Sequence, residues 1–240
     1  MRRADKSSVS VVNELVFLQG VGATKETLRR WNQHPWQVMR SWIILSVGIA
    51  FTLLGAVYFV ARISTPDPTG VYIPGFVHAP TVEDVGLILF RNSLVLALHA
   101  FACVAGFIAL NSLPYSAARR SGISKTIHEK AGAYAMVFVA GATLFSLSTQ
   151  AYFLGATLSS AAAQFGMSDF QLLLLLLPHA VLELTALFLP LAAWVIASRQ
   201  NRWNELLAAT LVTVAIAVPV LIAAAFTEVY LTPRLILWAV

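Results

Sequence analysis

The chain has 240 residues, 58% of them hydrophobic and 11% charged, with a mean hydropathy of +0.76 and a formal net charge of +5. This composition excludes a water-soluble globular protein and leaves no length for a sizeable soluble domain beside a membrane one. Nucleic acid is not implied by the basic balance, because the Lys and Arg residues stand beside apolar runs rather than in one continuous patch, the pattern of membrane topology.

Residues 1–40 are not a span. Val11, Leu15 and Leu18 recur at helical spacing, and Trp31, Trp36 and Trp42 approach the first apolar run, so the expectation is a cytoplasmic amphipathic arm lying on the inner leaflet. Residues 41–240 then form the membrane domain. Spanning hydrocarbon takes about 20 mostly apolar residues, and five windows qualify: roughly 41–61, 86–110, 132–157, 170–197 and 206–232. The first window, "SWIILSVGIAFTLLGAVYFVA", starts too deep in the chain for a cleavable leader and is expected to be retained. The segment "RISTPDPTGVYIPGFVHAPTVEDV" that follows is rich in turn-forming residues and reads as a loop, with His78 solvated. Cys103 is the single cysteine, which excludes an internal disulfide. Ala102 with Gly106, and Ala151 with Gly155, are small residues at the four-residue spacing that lets helices approach closely. None of the windows shows the alternation of a membrane strand. The expected fold is therefore all-α: a polytopic membrane protein of five transmembrane helices with an N-terminal amphipathic arm.

Orientation follows from the flanking cations. Arg2, Arg3, Lys6, Lys25, Arg29, Arg30 and Arg40 precede the first span, Arg119, Arg120, Lys125 and Lys130 lie between the second and third, and Arg199 and Arg202 lie between the fourth and fifth. Only Arg62 and Arg234 fall on the other side, so the N-terminus is expected in the cytoplasm and the C-terminus outside.

Polar groups inside the spans carry the functional question, since an ionisable side chain at mid-bilayer costs roughly 2.5–3.5 kcal/mol even on insertion scales. The second span holds Arg91, Asn92 and His99, the third Gln150, the fourth His179 and Glu183, and the fifth Glu228. At about 1.5 Å rise per residue, Asn92 and His179 fall roughly 9–14 Å below the outer surface, and His99 and Glu183 about 20 Å. Glu228 lies within about two turns of that surface, near the level of Arg91. His179 and Glu183 share a helix face at i, i+4, as do Asn92 and His99 seven residues apart. Most of these groups can meet in one polar pocket, although matched depth does not say which helices are neighbours.

Three segments, "FRN" ending at Asn92, "PHAVLEL" from Pro178 to Leu184 and "AAFTEVYLTP" ending at Pro233, resemble the hallmark segments of the stage II sporulation protein M family. The resemblance runs from about residue 86 to 233, with one departure at Ala180, where a glycine is expected after the histidine. It implies a bacterial cytoplasmic-membrane protein working with peptidoglycan-remodelling machinery or with the export and maturation of membrane-active peptides.

Two readings stay open. As a subunit of a membrane complex, the chain would use its intramembrane groups as a buried network, with Arg91 offsetting Glu228 and His179 bonded to Glu183, and would present a surface to other membrane proteins or a peptide. As an intramembrane peptidase, it would bind Zn²⁺ through His99, His179 and Glu183, leaving an open position for water, with Glu228 as general acid or base and Glu183 the second candidate catalytic carboxylate. The bare HxxxE spacing matches no known metalloprotease motif. In both readings Arg91, Asn92 and Gln150 line the polar pocket.

Overall fold

The structure is a computed structural model that describes residues 22–67, 69, 71, 76, 78–108 and 122–240. The described residues are helical with no strand. Helix α1 covers 22–31, and α2 (Pro35–Ile63), α3 (Val82–Phe107), α4 (Gly122–Gln164) and α5 (Asp169–Arg199) follow. A 3₁₀ turn (Trp203–Glu205) leads into α6 (Leu206–Phe226), a π turn (Thr227–Leu231) interrupts that helix, and α7 (Thr232–Ala239) completes it. Five helical segments are long and apolar enough to cross a membrane: Pro35–Ile63, Val82–Phe107, Met136–Gln164, Asp169–Arg199 and Trp203–Ala239. The expected Val11, Leu15 and Leu18 face lies outside the described residues.

The ends of the spans are written in local chemistry. Proline at the first position starts α2 at residue 35, six residues before the apolar window, because a missing N–H costs nothing there. Thr81 and Asp84 cap α3 reciprocally, Thr81 N–H donating to the Asp84 carboxylate at 2.9 Å and Asp84 N–H to the Thr81 hydroxyl at 3.2 Å. Ser168 and Gln171 do the same for α5, at 3.0 and 3.3 Å. Between α4 and α5 the chain turns through Gly166 at φ +65°, a left-handed conformation that glycine takes without a Cβ clash.

At the same end, Asp67 N–H donates to the Ser160 hydroxyl at 3.0 Å, tying the end of α2 to α4. The Asp67 carboxylate accepts from the hydroxyl and the backbone N–H of Thr69, which holds it below its usual range. His78 is exposed, as expected of a loop residue, and stands 3.7 Å from Asp84 at the start of α3.

Helix α5 is the core. Every residue from Ala186 to Ala193 is buried, and α5 packs on α2, α3 and α6. Pro178 and Pro190 interrupt its backbone bonding, which membrane helices tolerate when neighbours satisfy the released carbonyls. Other carbonyls of the same stretch take donors from neighbouring helices: Cys103 Sγ–H donates to the Pro190 carbonyl at 3.2 Å, the Ser46 hydroxyl to the Thr185 carbonyl at 2.6 Å, and His99 Nδ1 lies 3.1 Å from the Leu187 carbonyl. Helix α4 is peripheral. Only 6% of its spanning window is buried, against 39% for α5, and it leans chiefly on α2. Gly155 permits that contact: a Cβ there would lie 2.6 Å from Val60 Cβ and 2.8 Å from the Val57 carbonyl.

At the opposite end of the bundle, Glu205 is nearly buried and receives Arg30 at 2.5 Å and Arg202 at 3.1 Å. Trp31 and Trp42 pack edge to face at 5.2 Å beside this clamp, fixing α1 against the membrane domain.

Candidate functional site

Two spaces beside α4 hold ionisable groups. The first, about 270 Å³, lies among α2, α4, α5 and α7 and is apolar apart from Thr157, His179, Glu183, Glu228 and Thr232. The second, about 700 Å³, lies between α3 and α4, where Arg91, Asn92, Gln150, Glu183 and Glu228 face the lipid-exposed ring of Phe153 and the side chain of Phe145. Glu183 and Glu228 line both, so the two carboxyl groups form the partition between the spaces.

The π turn positions Glu228. Pro233 has no N–H, so the carbonyl of Val229 lacks its α-helical donor, and the backbone widens by one residue: Thr232 N–H bonds the Thr227 carbonyl instead. The Thr232 hydroxyl also reaches the Thr227 carbonyl, at 3.3 Å, and stands 2.9 Å from His179 Nδ1. A carbonyl only accepts, so the hydroxyl proton points to Thr227 and the hydroxyl oxygen accepts from His179 Nδ1–H. The imidazole is thereby held with Nε2 as the acceptor, and Nε2 has no partner among the described residues.

The expected His179 to Glu183 hydrogen bond is not formed. Glu183 instead interacts with Asn92, although the amide nitrogen of Asn92 is buried without a partner at hydrogen-bonding geometry. Glu228 lies within electrostatic reach of both Arg91 and Glu183, without a close ion pair to Arg91. Gln150 donates to the Ser146 hydroxyl at 3.0 Å on its own helix.

His99 stands apart from these groups. Its ring packs edge to face on Phe188 at 5.6 Å, it lines neither space, and its Nε2 is buried without a partner. Among the described residues no three His, Cys, Asp or Glu side chains lie where they could hold one metal ion. The set of His99, His179 and Glu183 expected to bind Zn²⁺ is thus not assembled: His99 meets the Leu187 carbonyl, about one turn further along α5 than Glu183. The structure does bring Arg91, Asn92, Gln150, Glu183 and Glu228 around one space, and places His179 on the far side of the two carboxyl groups.

Thr232 and Cys103 are the polar contributors that sequence reasoning passed over. Pro233 was the available signal for Thr232, since its missing N–H breaks the α pattern beside it; Cys103 had none.

Residues 124–233 match the family model of stage II sporulation protein M. The interval takes in Gln150, His179, Glu183, Glu228 and Thr232, and the resemblance is shown there. The "FRN" segment, with Arg91 and Asn92, precedes it. No curated protein and no solved structure matches the chain.

Proposed function

From a chain whose last three spans carry the stage II sporulation protein M pattern, we propose a multi-pass subunit of a cytoplasmic-membrane complex that remodels the cell envelope or processes and exports peptides. Residues 1–40 serve as its cytoplasmic arm and 41–240 as the membrane domain, with the C-terminus outside. The arginines at one end of the bundle, among them Arg29, Arg30, Arg40, Arg199 and Arg202, support that orientation. The family also includes members of engulfment machinery, which supports a role in a complex.

One observation carries the reading: the space between α3 and α4, lined by Arg91, Asn92, Gln150, Glu183 and Glu228 at membrane depth. Polar groups in hydrocarbon are retained where they line a cavity or meet a partner. The buried Asn92 amide, still short of an acceptor, fits a peptide or partner helix entering from the bilayer.

Site-specific photo-crosslinking in native membranes tests this. A probe at position 150 should give a discrete protein or peptide adduct, and one at the lipid-facing position 152 should not. Lipid adducts alone from both positions would overturn the reading.

A further inference from the structure

The smaller space holds an unusual set of polar groups. His179, Glu183 and Glu228 line it, and no Lys or Arg stands among its described lining residues. His179 is 93% buried, its relative exposure being 7%, and its Nδ1–H is committed to Thr232, so Nε2 enters as a lone pair. The carboxyl groups of Glu183 and Glu228 are also acceptors. Arg91 faces the other side of the partition and offsets one of them, leaving the second without a cation. The remaining wall is aliphatic, including Leu54, Val57, Leu172, Leu176 and Ile236.

A ligand for such a site must bring donors and positive charge on an apolar body. A primary ammonium has three N–H donors and no acceptor, which matches two carboxyl groups and an imidazole lone pair. The volume, about 270 Å³, is just below the usual range for ligand pockets of roughly 300 Å³ upward, enough for the end of a chain but not for a whole peptide. An ammonium next to a phosphate, as in an amino-phospholipid, fits poorly, because the lining has no cation for the phosphate and two carboxyl groups that repel it.

We infer that this space binds the free N-terminal ammonium of an apolar peptide through His179, Glu183 and Glu228. The inference rests on the peptide-handling reading above and adds which end of the peptide is held, and by what. The bound ammonium supplies the missing cation beside the carboxyl pair, and the first side chains lie against the aliphatic wall.

The full chain, purified in a neutral maltoside detergent, is titrated with a leucine- and alanine-rich hexapeptide amidated at its C-terminus, with its N-terminus free or acetylated. The free amine should bind at least about tenfold tighter, since the acetylated peptide brings no charge to the buried acceptors. Glu183→Gln should erase that preference while eluting as a single species like the wild type, and His179→Gln should reduce it. Varying the peptide keeps the test informative even if a variant fails to fold.

Equal affinity for the two peptides would overturn the inference, as would a preference that survives Glu183→Gln. So would competition by lysophosphatidylethanolamine as strong as that of the free peptide, which would assign the site to a lipid head group, or loss of binding with chelator, which would assign it to a metal. A missing crosslink at position 150 with the amine preference intact would sink the complex-subunit reading alone.

Discussion

His179 Nδ1 and the Thr232 hydroxyl stand 2.9 Å apart, joining the centre of α5 to the turn that ends α6. The contact sets the tautomer of a membrane-buried imidazole without any charge. Thr232→Val keeps the shape and removes the acceptor, leaving a buried N–H without a partner, so stability should fall by about 1–3 kcal/mol. Thr232→Ser, which keeps the hydroxyl, should lose less. Detergent-solubilised thermal unfolding of the two variants checks this, and a larger loss in Thr232→Ser than in Thr232→Val would show that the methyl group, not the hydroxyl, matters.

The close approach of α2 and α4 gives a second prediction. Gly155→Ala should destabilise by about 1–3 kcal/mol, because the new methyl group meets the Val57 carbonyl and the Val60 Cβ. Val60→Ala should not restore the loss, since both of those atoms remain. Gly141→Ala, where nothing lies within 4 Å, is the control and should be neutral or slightly stabilising. Thermal unfolding ranks the four proteins.

Arg91 and Glu228 give a third. Neutralising either alone leaves the other in a low-dielectric space with its charge less compensated, so Arg91→Gln and Glu228→Gln should each lower folded yield more than the double variant does. Fluorescence-detected size exclusion of the four tagged proteins measures it. Strictly additive losses would dissolve the pair.

The five spans were legible because each is a continuous apolar run, and in lipid such a run has only the helix to satisfy its backbone. The start of α2 was set by Pro35 rather than by hydropathy, which is why it precedes the apolar window. The common face of Asn92 and His99 was legible from their spacing. Depth across helices was not: it matched Asn92 with His179 and His99 with Glu183, whereas Glu183 interacts with Asn92 and His99 meets the Leu187 carbonyl, about one turn further along α5, because counting rise per residue assumes straight, untilted helices. The i, i+4 spacing of His179 and Glu183 gave a common face, but a shared face does not fix which way an imidazole points. The contact of Arg30 with Glu205, across 175 residues of chain, has no local signature at all.

The π turn at Thr227–Leu231 has a consequence for how the site could have arisen and how it could be lost. A π turn is an α-helix holding one surplus residue and absorbing it locally, so the helix beyond it faces as it would in an α-helix one residue shorter. Were the same residues wound as an unbroken α-helix, Glu228 and Thr232 would sit one above the other on the same stripe; with the π turn, the carboxyl group reaches the partition while the hydroxyl swings round to His179. Deleting one residue between 229 and 231 would therefore take out the bulge and leave the last helix facing as it does now. Replacing Pro233 by a residue with an N–H would instead let the α pattern close and turn the last helix by about 100°, uncoupling the acid from the imidazole with no change of charge in the site. The alignment of these two groups is thus carried by a proline rather than by either group itself.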